Sequence, residues 1–129
     1  YPAILGQKPV LREGGIVIVP APCPDGLGEE SARLWLRDTP DGLSIVEKAR
    51  THGIPEGAHM GYRFGRFLTH ASEVIVTDCL IPAATIREVR LTPMRTAQEA
   101  MDHAVATLGA DARVLVIPHG VATIPVLPS

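Results

Sequence analysis

Gly14-Gly15-Ile16-Val17-Ile18-Val19-Pro20-Ala21-Pro22-Cys23-Pro24-Asp25-Gly26-Leu27-Gly28-Glu29-Glu30 decides the fold. Two glycines lead into Ile16–Val19, a run of β-branched residues. A short apolar run of this kind reads as a strand buried on both faces, as in a parallel sheet. Prolines at 20, 22 and 24 forbid a helix and end the ladder. The chain then turns on Asp25-Gly26-Leu27-Gly28 and enters a helix with Glu29 and Glu30 in its first turn, the charge that the helix dipole favours there. Strand, Gly-bearing loop and helix follow one another. In open α/β sheets, ligands bind where such loops lie, at the carboxyl ends of the strands.

The remaining chain supplies neighbours for that unit. A helix over 29–38 carries Leu34, Trp35 and Leu36. Thr39-Pro40 breaks it and opens a second helix over 40–51, which stops at Gly53. A third helix spans 57–70, with Met60, Phe64, Phe67, Leu68 and Ala71 at the 3.6 period. Its other face collects His59, Tyr62, Arg66 and His70, with Arg63 at the margin. Glu73–Thr77 reads as the second strand, ending in Asp78–Pro82. A helical turn over 83–87 and a short peripheral strand over 89–92 follow. Thr96-Ala97-Gln98-Glu99 is a capping box. It opens a helix whose stripe is Ala97, Ala100, Met101, Ala104, Val105 and Leu108, closed by Gly109. Arg113–Ile117 reads as a third sheet strand, stopped by Pro118-His119-Gly120. The Pro-broken tail 121–128 is expected to pack without regular structure.

Alternating strands and helices predict an α/β fold in three layers, a largely parallel sheet covered by helices on both faces. The 129 residues suffice for one domain with a real core. A net charge of −2 gives no electrostatic footing for nucleic acid or an anionic membrane. No apolar run is long enough to span a bilayer. Cys23 and Cys79 are the only cysteines, and they form no CxxC, which points to a reducing, cytoplasmic setting. The chain starts at Tyr1 with no visible signal peptide, and is expected to be a piece of a longer protein.

Three strand ends, Pro20–Gly28, Asp78–Pro82 and Pro118–Thr123, form the expected functional edge. Asp25, Gly26 and Gly28 could cradle an anion with backbone N–H groups at a helix start, or form an ordinary tight turn and cap. His59, in a first helical turn near Tyr62, Arg63 and Arg66, could bind a carboxylate; the alternative is a solvated polar face. His119 is either a site residue at the sheet edge or a hydrogen-bonded turn residue. His52, His70 and His103 have no convergent partner in the pattern. No His/Cys spacing suits a metal, so no metal is expected on this segment alone. Both cysteines read as small buried apolar residues.

Three stretches together resemble the carboxyl-terminal domain of the nickel-dependent lactate racemase family. They are Gly15–Val19 with Cys23–Gly28 and Leu34-Trp35-Leu36, then Gly57–Arg66, and then Ala100–Leu108 with Val114–Gly120 and Ile124-Pro125. The resemblance covers nearly all of the chain and implies a two-domain enzyme with its site in the cleft. An amino-terminal domain of the same protein would hold a nickel pincer nucleotide and supply paired histidines as acid and base. A small 2-hydroxy acid would be racemised or epimerised by hydride transfer to that cofactor and back. The carboxyl-terminal domain would add a lysine and a nearby glutamine before its first strand, for which Lys8 as a catalytic group and Gln7 as a substrate contact are the candidates. It would also add an aromatic residue on the helix before its second strand, where His59 stands instead. The spacing from Lys8 to Gly14 is short for the family. These two departures leave the identity of the 2-hydroxy acid open. The competing reading is a non-catalytic α/β binding or interaction module. A nucleotide-binding Rossmann domain is disfavoured by the missing glycine fingerprint.

Overall fold

The computed structural model describes residues 10–120 and 122–128. Gln7 and Lys8 lie outside the described residues. Strand β1 is Ile16–Pro20 and strand β2 is Glu73–Thr77. They pair in parallel, from Ile16 opposite Glu73 to Pro20 opposite Thr77. A two-residue strand β3, Thr92–Pro93, joins the other side of β2, also in parallel. The order β1-β2-β3 makes β2 the central strand. Accordingly Val74, Ile75, Val76 and Thr77 are all buried. β1 is an edge strand and only half-buried, not covered on both faces as its apolar run suggests.

Five helices accompany the sheet among the described residues: α1 (Glu30–Arg37), α2 (Gly42–His52), α3 (His59–Leu68), α4 (Ala83–Glu88) and α5 (Ala97–Leu108). Strand alternation assigns them to faces. Val74 packs with Phe67 and Ala71 at the end of α3. The opposite parity, that of Glu73 and Ile75, faces α5, since His103 Nε2 lies 2.7 Å from Glu73 Oε2. The parallel sheet therefore has helices on both faces, the α/β arrangement that the alternating pattern predicts.

A second core lies among α1, α2 and α3, where Trp35, Leu36, Ile45, Ala58 and Val89 are buried together. Glycine permits its closeness. A Cβ on Gly61 would lie 3.0 Å from the Ala32 carbonyl oxygen, and one on Gly42 2.9 Å from that of Gly65. The inner face of α3 is thus Gly61, Gly65 and Phe67, whereas Met60 is 56% exposed. Of the stripe read from helical spacing only Met60 fails: Phe67 and Ala71 are buried, and Phe64 and Leu68 pack against the cores. Spacing of large residues does not show that Gly61 and Gly65 make the closest contacts with α1 and α2.

Two further expectations fail for stated reasons. Arg113–Ile117 forms no strand. Val114, Leu115 and Val116 are exposed at 58%, 60% and 75%. Its β-branched composition favours a strand only against a pairing edge, and it pairs with neither outer edge of the described sheet. The stripe on α5 also ends early: Ala100 is fully buried, but Val105 and Leu108 are exposed.

The start of α5 agrees with its capping box, whereas α2 starts at Gly42 and not at Pro40, because Thr39 Oγ1 donates to the Trp35 carbonyl at the end of α1 and leaves the capping to Asp41. Asp41 caps α2 by accepting from the Ser44 N–H at 2.8 Å. Thr96 caps α5 through the Glu99 N–H at 3.2 Å. The returning Glu99 carboxylate accepts from Arg95 N–H, one residue before the cap. The Ser44 hydrogen bonds hold the Asp41 carboxyl below its ordinary range, and the Arg95 guanidinium does the same for Glu99. Groups lowered in the folded state stabilise it above their unfolded values and lose that contribution as pH falls through the folded ones. The thermal midpoint should therefore fall on acidification through the carboxylate range. Asp41→Asn, which keeps a good cap without the titrating charge, should lessen that fall in parallel melts.

Candidate functional site

The loops that leave the three strands are stitched side by side. Ala21 N–H donates to the Thr77 carbonyl at 3.0 Å, Leu80 N–H to the Pro22 carbonyl at 3.0 Å, and Asp78 N–H to the Arg95 carbonyl at 3.2 Å. Cys23–Gly28, Asp78–Ile81 and Met94-Arg95 thereby form one edge at the carboxyl ends of the strands. Two non-glycine residues there are left-handed, Cys23 at φ 47° and Asp78 at φ 56°. Such conformations cost free energy and concentrate at functional sites. The Asp78 carboxylate accepts from Thr77 Oγ1 at 2.8 Å. Gly26 and Gly28 have φ of 84° and 85° with open space around them, so backbone conformation and not crowding requires glycine. An open groove of about 300 Å³ runs along this edge between Cys79, Ile81, Pro93, Met94 and Arg95. Arg95 closes on Glu99 at 2.7 Å.

The start of α3 lies beside the loop that carries Asp25. A Cβ on Gly57 would meet Ser31 Oγ at 2.5 Å and Glu29 Oε2 at 3.0 Å, so the entry to α3 rests on the entry to α1. Leu27 from the loop and Met60 from α3 share an apolar groove of about 220 Å³ with Ala32, Gly61, Phe64 and Leu91. His59, Arg63 and Arg66 are all exposed and recur at i, i+4 and i+7, one stripe along α3. Among the described residues neither Arg63 nor Arg66 pairs with a carboxylate. The stripe offers an imidazole and two guanidinium groups to an anion.

Other expected members of that face turn inward. Tyr62 is half-buried, its ring centroid 6.4 Å from that of Trp35. His70 Nε2 lies 2.6 Å from the Leu11 carbonyl oxygen, and its own carbonyl accepts from Gly14 N–H, so it anchors the approach to β1. His103 pairs with Glu73, which supplies the partner missing from the sequence pattern. His119 is exposed in a turn whose carbonyl accepts from Ala122 N–H at 2.9 Å. The strand that was to carry it to the edge is not formed.

A family model described as the lactate racemase C-terminal domain matches residues 5–125. The chain belongs to the lactate racemase C-terminal domain family. It is 32% identical over 131 residues to the lactate racemase of Lactiplantibacillus plantarum, covering 96% of this chain and 30% of that protein. It is 27% identical over 116 residues to the lactate racemase of Thermoanaerobacterium thermosaccharolyticum, covering 88% of this chain and 27% of that one. The solved lactate racemase apoprotein from the latter organism superposes with a TM-score of 0.80 at 25% identity, over 88% of this chain and 28% of that structure. The chain thus spans at most 30% of the length of these curated relatives.

Within this lactate racemase C-terminal domain, no group of three or more His, Cys, Asp or Glu among the described residues could hold a metal ion. Nor is any described helix long and apolar enough to cross a membrane. Residue spacing marks Asp78 only as the start of a strand-end loop and does not mark Arg95. The left-handed backbone of Asp78 and the hydrogen bond from its N–H to Arg95 have no signature in residue spacing.

Proposed function

We propose that this chain is the substrate-positioning half of a lactate-racemase-type isomerase acting on a small 2-hydroxy acid. The observation that carries the reading is the family match over residues 5–125. The donor set described here does not fit a metal, so a nickel pincer nucleotide would be held by an amino-terminal domain of the same protein. When bound there, that group would supply hydride exchange at C2 of the substrate. This chain's contribution is to bind and orient. The stripe of His59, Arg63 and Arg66 takes the substrate carboxylate, since a guanidinium gives it a two-pronged, charge-assisted contact. The Asp25–Gly28 loop offers backbone N–H groups to the same anion at the start of α1, and the family resemblance assigns Gln7 as a substrate contact and Lys8 as a catalytic group. His119 joins from the closing turn once the second domain is in place. Exposed Val114, Leu115 and Val116 support a missing neighbour, because contiguous apolar surface marks an interaction face. A cytoplasmic setting fits the free thiols of Cys23 and Cys79.

The test is chiral chromatography of single enantiomers of short 2-hydroxy acids, incubated with the full-length, cofactor-loaded protein. The opposite enantiomer should accumulate toward an equal mixture. Residues 1–129 alone should give no interconversion. No interconversion of any acid by the loaded full-length protein would favour a non-catalytic binding module.

A further inference from the structure

Cys23 and Cys79 are 56 positions apart in the chain yet meet at the strand-end edge. The register of β1 on β2 ends with Pro20 opposite Thr77, and in the same step Pro22 falls opposite Cys79, with Cys23 its diagonal neighbour. The Leu80 N–H donation to the Pro22 carbonyl, at 3.0 Å, ties the two loops within one residue of each cysteine. With strands about 4.8 Å apart and residues about 3.3 Å apart along each, diagonal neighbours lie inside the span of about 4.4–6.8 Å between Cα atoms that disulfides bridge. The Cys79 thiol neighbours that of Cys23. Both are free and partly exposed, so an oxidant can reach them.

We propose that Cys23 and Cys79 form a reversible disulfide latch across the strand-end edge, closed by a small-molecule disulfide such as oxidised glutathione. One protein thiolate attacks a glutathione sulfur, breaking its S–S bond and expelling a glutathione thiolate. The second protein thiolate attacks the protein sulfur of the mixed disulfide and expels the other glutathione. The two cysteines lose two electrons, the glutathione disulfide gains them, and the two protons pass to the leaving thiolates. Burial, reinforced by the neighbouring Cys79 thiol, holds the Cys23 thiol above its ordinary value. The pair is therefore slow to oxidise, and the latch is judged at equilibrium. Once closed, it fixes the Cys23–Gly28 loop to the Asp78–Ile81 loop and cross-links a long chain segment, which stabilises chiefly by restricting the unfolded state.

The experiment equilibrates the full-length protein with mixtures of reduced and oxidised glutathione, quenches with an alkylating agent, and maps peptides by mass spectrometry. The expected product is a Cys23–Cys79-linked peptide lacking two hydrogens. It should form from the folded protein at ratios where the urea-unfolded protein stays reduced. The thermal midpoint should rise by about 10 °C, reversed by dithiothreitol. Amide hydrogen exchange should slow at Asp25–Gly28 and Asp78–Ile81. Cys23→Ser and Cys79→Ser should each abolish the linked peptide and the rise while leaving the reduced midpoint nearly unchanged. Alkylation of both thiols at every ratio, a glutathione adduct that never resolves, or a linked peptide without slower loop exchange would overturn the latch.

Discussion

Gly65→Ala should cost the domain about 3 kcal/mol, at the upper end of ordinary overpacking, and lower its thermal midpoint by about 10 °C. The added methyl would lie 2.8 Å from Ile45 Cβ and 3.0 Å from Ile45 Cδ1. Ile45 is fully buried in the α1–α3 core and has nowhere to move. Nor can α3 withdraw as a rigid body, because Gly61 on the same face already lies against the Ala32 carbonyl. The effect should be coupled to its neighbour. Ile45→Ala removes the obstructing atoms at a cost of its own of about 2–5 kcal/mol, and in the Gly65→Ala background it should cost at least about 1 kcal/mol less. Urea denaturation of the two single variants and the double variant measures this. Additive losses would show that the close helix approach is not what glycine provides at 65.

The same residues show what could be read in advance. Val74-Ile75-Val76 reads as a strand and Thr96 as a helix start, because these signals are local and each has its own physical cause; Thr39-Pro40 reads as a helix start two residues early, since Asp41 supplies the cap. Helical spacing puts Phe64, Phe67, Leu68 and Ala71 on the cores correctly and fails at Met60. It gives no sign that Gly61 and Gly65 make the close contacts with α1 and α2. Arg113–Ile117 has the composition of a strand and pairs with neither outer edge of the described sheet. For the candidate site, the His59, Arg63 and Arg66 stripe was legible from helical spacing. That the entry to α3 rests on the entry to α1, Gly57 against Ser31 and Glu29, is not encoded in spacing. The meeting of Cys23 with Cys79 depends on strand order and register, set by contacts far apart in the chain.

The second large effect is functional. His59→Ala and Arg63→Ala should each reduce kcat/KM for the 2-hydroxy acid at least tenfold in the full-length enzyme. A charge-assisted hydrogen bond contributes about 1.5–3 kcal/mol, and about 1.4 kcal/mol is a factor of ten. Both side chains are exposed on this domain, so removing either should leave the fold intact, surface substitutions falling within about ±0.5 kcal/mol. Arg63→Lys should recover only part of the loss, since an ammonium cannot make the two-pronged contact.

The kcat/KM of His59→Ala and Arg63→Ala in the full-length, cofactor-loaded protein, measured beside their thermal midpoints, tests most directly whether this domain binds the substrate carboxylate. The expected result is a loss of tenfold or more in each variant with nearly unchanged midpoints. Undiminished kcat/KM in both variants with an intact fold would contradict it.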